Sequence, residues 1–315
     1  MSVIAIDLGG TKVLGAVFSS GGEILFRKTC LLAGASGEGA GEIVLGLIGE
    51  LIESSPDKVA DAIGICVPGI VYHEDGTVWA PNIPGWERYP LRSRIRTAVG
   101  NHARIEIESD RTCYILGEAW KGAARGCVDA LYVAVGTGIG MGILLDGRVV
   151  RGHSDIAGAV GWMALENPFS EDFVSCGCFE SYASGGGIGD RIRKAVLAHP
   201  DYAGELSRKP VDALSSYDVF AHYDTDPLAK AVLDKAIQMW GMASANMVSM
   251  LNPEVVVFGG GVFGPASRFL DRIRAEALRW GQPSAMKEVR FAVSQLPGEA
   301  ALYGAAKLVI GYKIV

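Results

Sequence analysis

Ile4-Ala5-Ile6-Asp7-Leu8-Gly9-Gly10-Thr11-Lys12-Val13-Leu14-Gly15-Ala16-Val17-Phe18 is the stretch whose reading decides the fold. Two β-rich runs flank a tight polar turn. Gly9 and Gly10 carry no Cβ, so their amides can approach a bulky anion and take unusual dihedrals. Thr11 adds a hydroxyl and Lys12 a positive charge. Asp7 ends the first run, where a carboxylate holds magnesium, usually through water. The parts read as a phosphate cradle on a hairpin. They do not make a P-loop: the glycine and lysine spacing is wrong, and strand follows where helix should. An ordinary glycine turn would satisfy the same local pattern.

A second copy strengthens the phosphate reading. Leu131-Tyr132-Val133-Ala134-Val135-Gly136-Thr137-Gly138-Ile139-Gly140-Met141-Gly142-Ile143-Leu144-Leu145 repeats the plan of apolar strand, Gly/Thr turn and apolar strand. Each second strand runs on to a further polar turn, Ser19-Ser20-Gly21-Gly22 in one copy and Asp146-Gly147 in the other. A matched pair suggests a duplicated α/β unit with nucleotide held between the halves.

A chain of 315 residues buries a substantial core and fits two domains. Its formal net charge of −6 and lack of a basic run argue against a nucleic-acid partner. An anionic cofactor is then held by local amides and a few cations. Met1 to Asp7 enters a strand at once, with no basic and apolar leader, so no secretory signal is expected. No apolar run is long enough to span a bilayer. The six cysteines are scattered apart from Cys176-Gly177-Cys178, and read as reduced thiols, several of them buried.

Between the hairpins, strands are expected at 23–28, 60–67 and 103–109, and helices at 42–53, 90–98 and 112–123. Residues 37–41 read as a small-residue loop, and Val78 to Trp86 as a shaped loop. After the second hairpin, 151–178 reads as irregular, 179–198 as helical, and 201–223 as polar and peripheral. A long helix spans about 227–250, its methionines and Trp240 read as core. Strand 254–258 enters the turn Gly259-Gly260-Gly261. Helix 266–280, strand 289–293 and helix 300–310 follow. This order indicates mixed sheets covered by helices.

The sequence resembles the ROK family of sugar kinases and sugar-responsive repressors, within the actin-like ATPase superfamily. The likeness spans the chain. It rests on Asp7-Leu8-Gly9-Gly10-Thr11-Lys12, Val67-Pro68-Gly69, Pro81-Asn82-Ile83-Pro84-Gly85-Trp86, Glu108-Ser109-Asp110 with Leu116-Gly117-Glu118, Gly136-Thr137-Gly138-Ile139-Gly140, Gly177-Cys178-Phe179-Glu180, Asn252-Pro253-Glu254, Gly259-Gly260-Gly261 and 298–306. It implies a two-domain α/β fold of the actin-like ATPase, duplicated ribonuclease H-like type, with a cleft between domains. The smaller domain is expected at 1–112 plus 300–315 and the larger at 113–299. The repressor branch carries a DNA-binding extension before the first strand, which favours a kinase here.

On this resemblance Asp110 aligns with the catalytic aspartate. A sugar hydroxyl is a poor nucleophile until a carboxylate in hydrogen-bond reach accepts its proton. Asp7 (magnesium), Gly9, Gly10, Thr11, Lys12, Gly136, Thr137 and Gly138 serve the phosphates of ATP, and Gly259, Gly260 and Gly261 the adenosine. Gly69, Asn82, Ser109, Asp110 and Glu180 hold the sugar. The sugar pocket departs from the family pattern. Ser109 replaces an Asn, and Ala159 and Trp162 stand where the family has Glu and His. Trp162 either stacks on a sugar face or fills the volume left behind. The same His and a longer cysteine cluster make the family's zinc site; here only Ser175-Cys176-Gly177-Cys178 remains, so no structural zinc is expected. The implied protein is a cytoplasmic, homodimeric, ATP- and Mg2+-dependent kinase of a hexose or hexose derivative, with glucose the default and the 6-hydroxyl the acceptor. The alternatives are a sugar-binding regulatory protein with little turnover, and a kinase using polyphosphate as donor.

Overall fold

The computed structural model describes residues 2–311. The ends of the expected small domain, residue 1 and residues 312–315, lie outside them.

The first hairpin forms as the alternation requires. β1 (Val3–Leu8) pairs antiparallel with β2 (Lys12–Phe18), which pairs with β3 (Ile24–Leu31). α1 (Gly37–Glu53) follows. Its first turn takes up residues 37–41, expected as loop, because Ala40 and Gly41 already belong to the buried stripe with Val44, Leu47, Ile48 and Leu51. β4 (Ala62–Val67) lies parallel to β1, and β5 (Ile70–Tyr72) and β6 (Thr77–Trp79) form a small separate hairpin, so Val78 and Trp79, expected as loop, are strand because they pair with Val71 and Ile70. After α2 (Leu91–Val99), β7 (Arg104–Ser109) adds parallel to β4 and leads directly into α3 (Asp110–Lys121). The sheet order is β3-β2-β1-β4-β7.

The second half repeats this order. β8 (Ala130–Val135), β9 (Ile139–Leu145) and β10 (Arg148–Val149) come first. α4 (Cys178–Ala183), α5 (Gly185–Leu197), α6 (Ser216–His222) and α7 (Pro227–Leu251) precede β11 (Val255–Gly259). α8 (Leu270–Trp280), α9 (Pro283–Glu288), β12 (Arg290–Val293) and α10 (Ala300–Ile310) complete the chain. The second sheet runs β10-β9-β8-β11-β12, with β11 parallel to both neighbours. Strand for strand this is the first sheet again, so the duplication inferred from two hairpins extends to whole sheets.

The expected single helical stretch at 179–198 is two helices. Ser184 is extended, ends α4 and caps α5, its Oγ accepting from the Gly187 amide at 2.9 Å. In α7, Met239, Trp240 and Met247 are buried as expected of a core helix, whereas Met250 is exposed.

The described residues divide into two compact units. One runs to Val128, includes Gly142–Ala157 and resumes at Gln295; the other comprises Asp129–Met141 and Gly158–Ser294. Residues 113–128, 142–157 and 295–299, expected in the larger domain, therefore belong with the first unit. The reason is packing: α3 and α10 share an apolar cluster of Cys113, Leu116, Leu302, Ala305 and Ala306 with β1 and β4. They approach so closely that a Cβ on Gly304 would lie 1.8 Å from the Cys113 carbonyl. The other face of the first sheet packs Ile4, Ile6, Ile63 and Ile65 against α1. In the second unit, Val256, Val257 and Phe258 of β11 are fully buried, and Phe258 stacks on Phe263 at 4.5 Å.

Candidate active site

In the first unit the parallel strands β1, β4 and β7 end together. Asp7 is in register with Cys66, Cys66 with Glu108, and Val67 with Ser109. Ligands of open α/β sheets gather outside such carboxyl ends. Asp7 is half-buried on an otherwise apolar strand. Burial drives its carboxyl up to about 6, with the neighbouring Cys66 thiol opposing the rise and the negative charge of Asp110 adding to it. Two carboxylates whose charges repel at a strand end suit a hard cation, which would take Asp7 and substrate oxygens while keeping waters.

Asp110 opens α3. Ser109 is its N-cap, the Oγ accepting from the Thr112 amide at 3.4 Å and bonding the Thr112 hydroxyl at 3.3 Å. The Asp110 carboxylate accepts from the Arg111 amide at 2.8 Å. Burial raises its pKa, against the Arg111 charge and the backbone amides of Arg111 and Asp110. Behind it, buried Glu108 accepts from Arg151 Nε at 2.6 Å, and His73 Nε2 lies 3.7 Å from Glu108 and 3.5 Å from Asp155. No sequence signal singled out that group, because its members lie far apart in the chain.

The first bend closes through Gly9 N–H to the Lys12 carbonyl at 2.9 Å, leaving Gly10, Thr11 and Lys12 exposed. A Cβ on Gly10 would sit 2.8 Å from Asn82 Cβ, so the shaped 81–86 loop presses on the bend there. Gly69 is enclosed: a Cβ would lie 2.0 Å from the Trp79 carbonyl. The first unit thus brings together Asp7, Gly9, Gly10, Thr11, Lys12, Asn82, Ser109 and Asp110.

The second bend lies in the second unit. The Gly136 amide donates to the Gly138 carbonyl at 2.9 Å. The N-terminus of α5 docks onto it, Gly185 and Gly186 N–H donating to the Gly136 and Thr137 carbonyls at 2.8 and 3.2 Å. Glu180, in the first turn of α4, accepts from the Ile139 amide at 2.6 Å and packs against Gly138. Burial raises its pKa, partly offset by that bond.

Two cavities adjoin the bend. One, of about 470 Å3, is lined by Thr137, Asp172, Glu180, Ser184 and Arg191. The other, of about 350 Å3, is lined by Gly136, Thr137, Gly186, Tyr217, Phe220 and Gly261. The sequence reading placed 201–223 at the periphery. The structure instead sets α6 on the cavity wall with Tyr217 and Phe220. The available signal was the Ser215 to Asp218 capping box, whose side chains bond each other's backbone and mark a helix start. Gly260, at φ +88, lies so near β8 that a Cβ would be 2.4 Å from the Val135 carbonyl.

Trp162 does not fill a core. It is 58 % exposed, on a short turn at 160–162, and Ala159 offers no carboxylate. Cys176 and Cys178 form no disulfide, nor do the other four cysteines. Among the described residues no group of three or more His, Cys, Asp or Glu side chains is disposed to hold a metal ion, and no helix is long and apolar enough to cross a membrane.

Two sheets of one strand order, each opened by a glycine-bend hairpin, define the actin-like ATPase fold seen in sugar-kinase structures. The ROK family model matches residues 3–311, and the chain belongs to the ROK family. Glucokinase of Thermotoga maritima is 28 % identical over 98 % of this chain and 97 % of its own length. The xylose repressor of Caldicellulosiruptor bescii is 30 % identical over 98 % of this chain and 78 % of its own. A ROK family glucokinase from Streptomyces griseus, solved with glucose and AMPPNP, is 28 % identical and matches with a TM-score of 0.76, covering 98 % of this chain and 99 % of that one.

Proposed function

We propose that this chain is an ATP-dependent kinase that transfers the γ-phosphate to a hydroxyl of a hexose or hexose derivative, with the 6-hydroxyl as acceptor. The observation that carries the reading is the position of Asp110. It is an acid of raised pKa at a strand end beside Asp7, fixed by a backbone amide. In the reaction its carboxylate takes the proton of the acceptor hydroxyl as that oxygen attacks phosphorus. Gly9, Gly10, Thr11, Lys12, Gly136, Thr137 and Gly138 orient the phosphates. Positioning and charge stabilisation carry most of phosphoryl transfer. Magnesium, held by Asp7 through water, would offset the charge of the β- and γ-phosphates. Gly259, Gly260 and Gly261 pass the adenosine; Gly69, Asn82, Ser109 and Glu180 hold the sugar. We place the protein in the cytoplasm as a homodimer, the latter tested by light scattering.

The reading is tested by ADP release over a sugar panel, with Asp110→Asn as control. Sugar-stimulated release that disappears in the variant is expected; its absence for every sugar overturns the assignment. A second reading, a sugar-binding regulator with little turnover, draws on Ala159 and Trp162 and on similarity to the xylose repressor. Tight sugar binding without ADP release favours it. Repeating the assay with polyphosphate in place of ATP tests the donor.

A further inference from the structure

Trp162 is held rigidly at its backbone and left open at its side chain. Its amide donates to the Ala159 carbonyl at 3.2 Å, closing the turn. Its Cα is pressed onto Gly177, where a Cβ would come within 2.5 Å. The preceding residue, Gly161, is buried against Glu180, whose Oε2 lies 2.8 Å from where a Gly161 Cβ would be. The turn that carries the indole is therefore built onto the carboxylate proposed to hold the sugar. Trp86, Trp240 and Trp280 each donate the indole N–H to a protein acceptor. Among the described residues the indole N–H groups of Trp79, Trp120 and Trp162 have no such partner, and of these three Trp162 is the most exposed. A large apolar face and an unpaired donor thus stand side by side.

We propose that Trp162 is the specificity-determining residue of the acceptor subsite, and that it receives the acyl group of an N-acylated hexosamine. This deepens, and rests on, the sugar-kinase reading above. The complementarity is chemical. At this edge the protein offers a donor and an aromatic face, and Ala159 offers no side-chain acceptor. A free hexose presents a hydroxyl here, whose oxygen can also accept from the indole N–H but which brings no apolar group to the ring face. An N-acyl group presents a carbonyl oxygen for the indole N–H and a methyl for the ring face. Glu180 remains to accept from ring hydroxyls on the adjoining edge, since a carboxylate has several acceptor sites beyond the one used by Ile139.

The test reads binding, which requires no turnover. Calorimetry on the full chain measures affinity for D-glucose, N-acetyl-D-glucosamine and N-acetyl-D-mannosamine, in the wild type, Trp162→Ala and Trp162→Phe. At least one N-acetylated sugar is expected to bind about tenfold tighter than D-glucose. Trp162→Ala loses that margin while its melting temperature stays unchanged. Trp162→Phe, which keeps an aromatic face without the N–H, falls between. D-glucose binding as tightly as both N-acetylated sugars, no sugar binding at all, or a margin that survives Trp162→Ala overturns the proposal. Sugar binding that shows this margin without ADP release would overturn the kinase reading and leave the Trp162 assignment standing.

Discussion

Cys66 is the register partner of Asp7 across β1 and β4, and its thiol acts on the Asp7 carboxyl. This thiol opposes the burial that pushes Asp7 up, yet the carboxyl still stands at about 6. A carboxyl whose folded pKa exceeds its unfolded value binds protons more readily in the native state. Stability therefore falls as pH rises from the unfolded value near 4 through 6, and the loss is complete above that. Asp7→Asn is expected to melt a few degrees above the wild type at pH 8 without added metal, and equally with it below pH 4. Thermal melts across pH, with magnesium chelated, check this. An unchanged difference at both ends would show that Asp7 does not titrate as described.

Asp110→Asn keeps the size and the α3 start but removes the proton acceptor. The maximal rate is expected to drop about 10²- to 10⁴-fold, with the KM for sugar changed little. Steady-state kinetics decides; a variant that retains most of its rate places the base elsewhere.

Tyr217 and Phe220 line the cavity beside Gly136 and Gly261. Stacking of a base on an aromatic ring contributes about 1–3 kcal/mol. Tyr217→Ala is expected to raise the KM for ATP about tenfold, consistent with that range, and to leave the KM for sugar alone. Equal changes in both constants would remove α6 from the nucleotide site.

Gly260 holds φ +88 against the Val135 carbonyl. A side chain forced into the left-handed region costs about 1–2 kcal/mol, and the contact adds to it. Gly260→Ala is expected to lower the denaturation midpoint without changing the slope. A neutral result would mean that the turn can move.

Asp226 caps α7, accepting from the Leu228 and Ala229 amides at 2.9 and 3.0 Å and from the Tyr202 hydroxyl. Burial pushes its pKa up, but these bonds outweigh burial and hold it below the ordinary range. Burial, and after it the same pairing, pushes the Tyr202 hydroxyl up to about 12. A depressed carboxyl stabilises above its unfolded pKa, and the gain is lost as pH falls through the folded one. Asp226→Ala should cost about 1–2 kcal/mol at pH 7 and less in acid. Urea unfolding at pH 7 and pH 3 measures both.

The sequence by itself determined the duplicated hairpins, the strand leading into Asp110 and the core character of α7. Each rests on local rules: two-residue alternation for strands, glycine at tight bends, and apolar spacing along a helix. Other features followed from contacts between distant residues. Residues 37–41 became helix because Ala40 and Gly41 found a buried face. Residues 113–128 joined the first unit because α3 packs on α10. Residues 216–222 became a cavity wall, Glu180 was drawn onto the Ile139 amide, and Trp162 was left open to solvent. Only the tertiary structure decided these, since the free energy that selects them comes from surfaces that meet after the chain has folded, and no spacing along one segment records which surface that is.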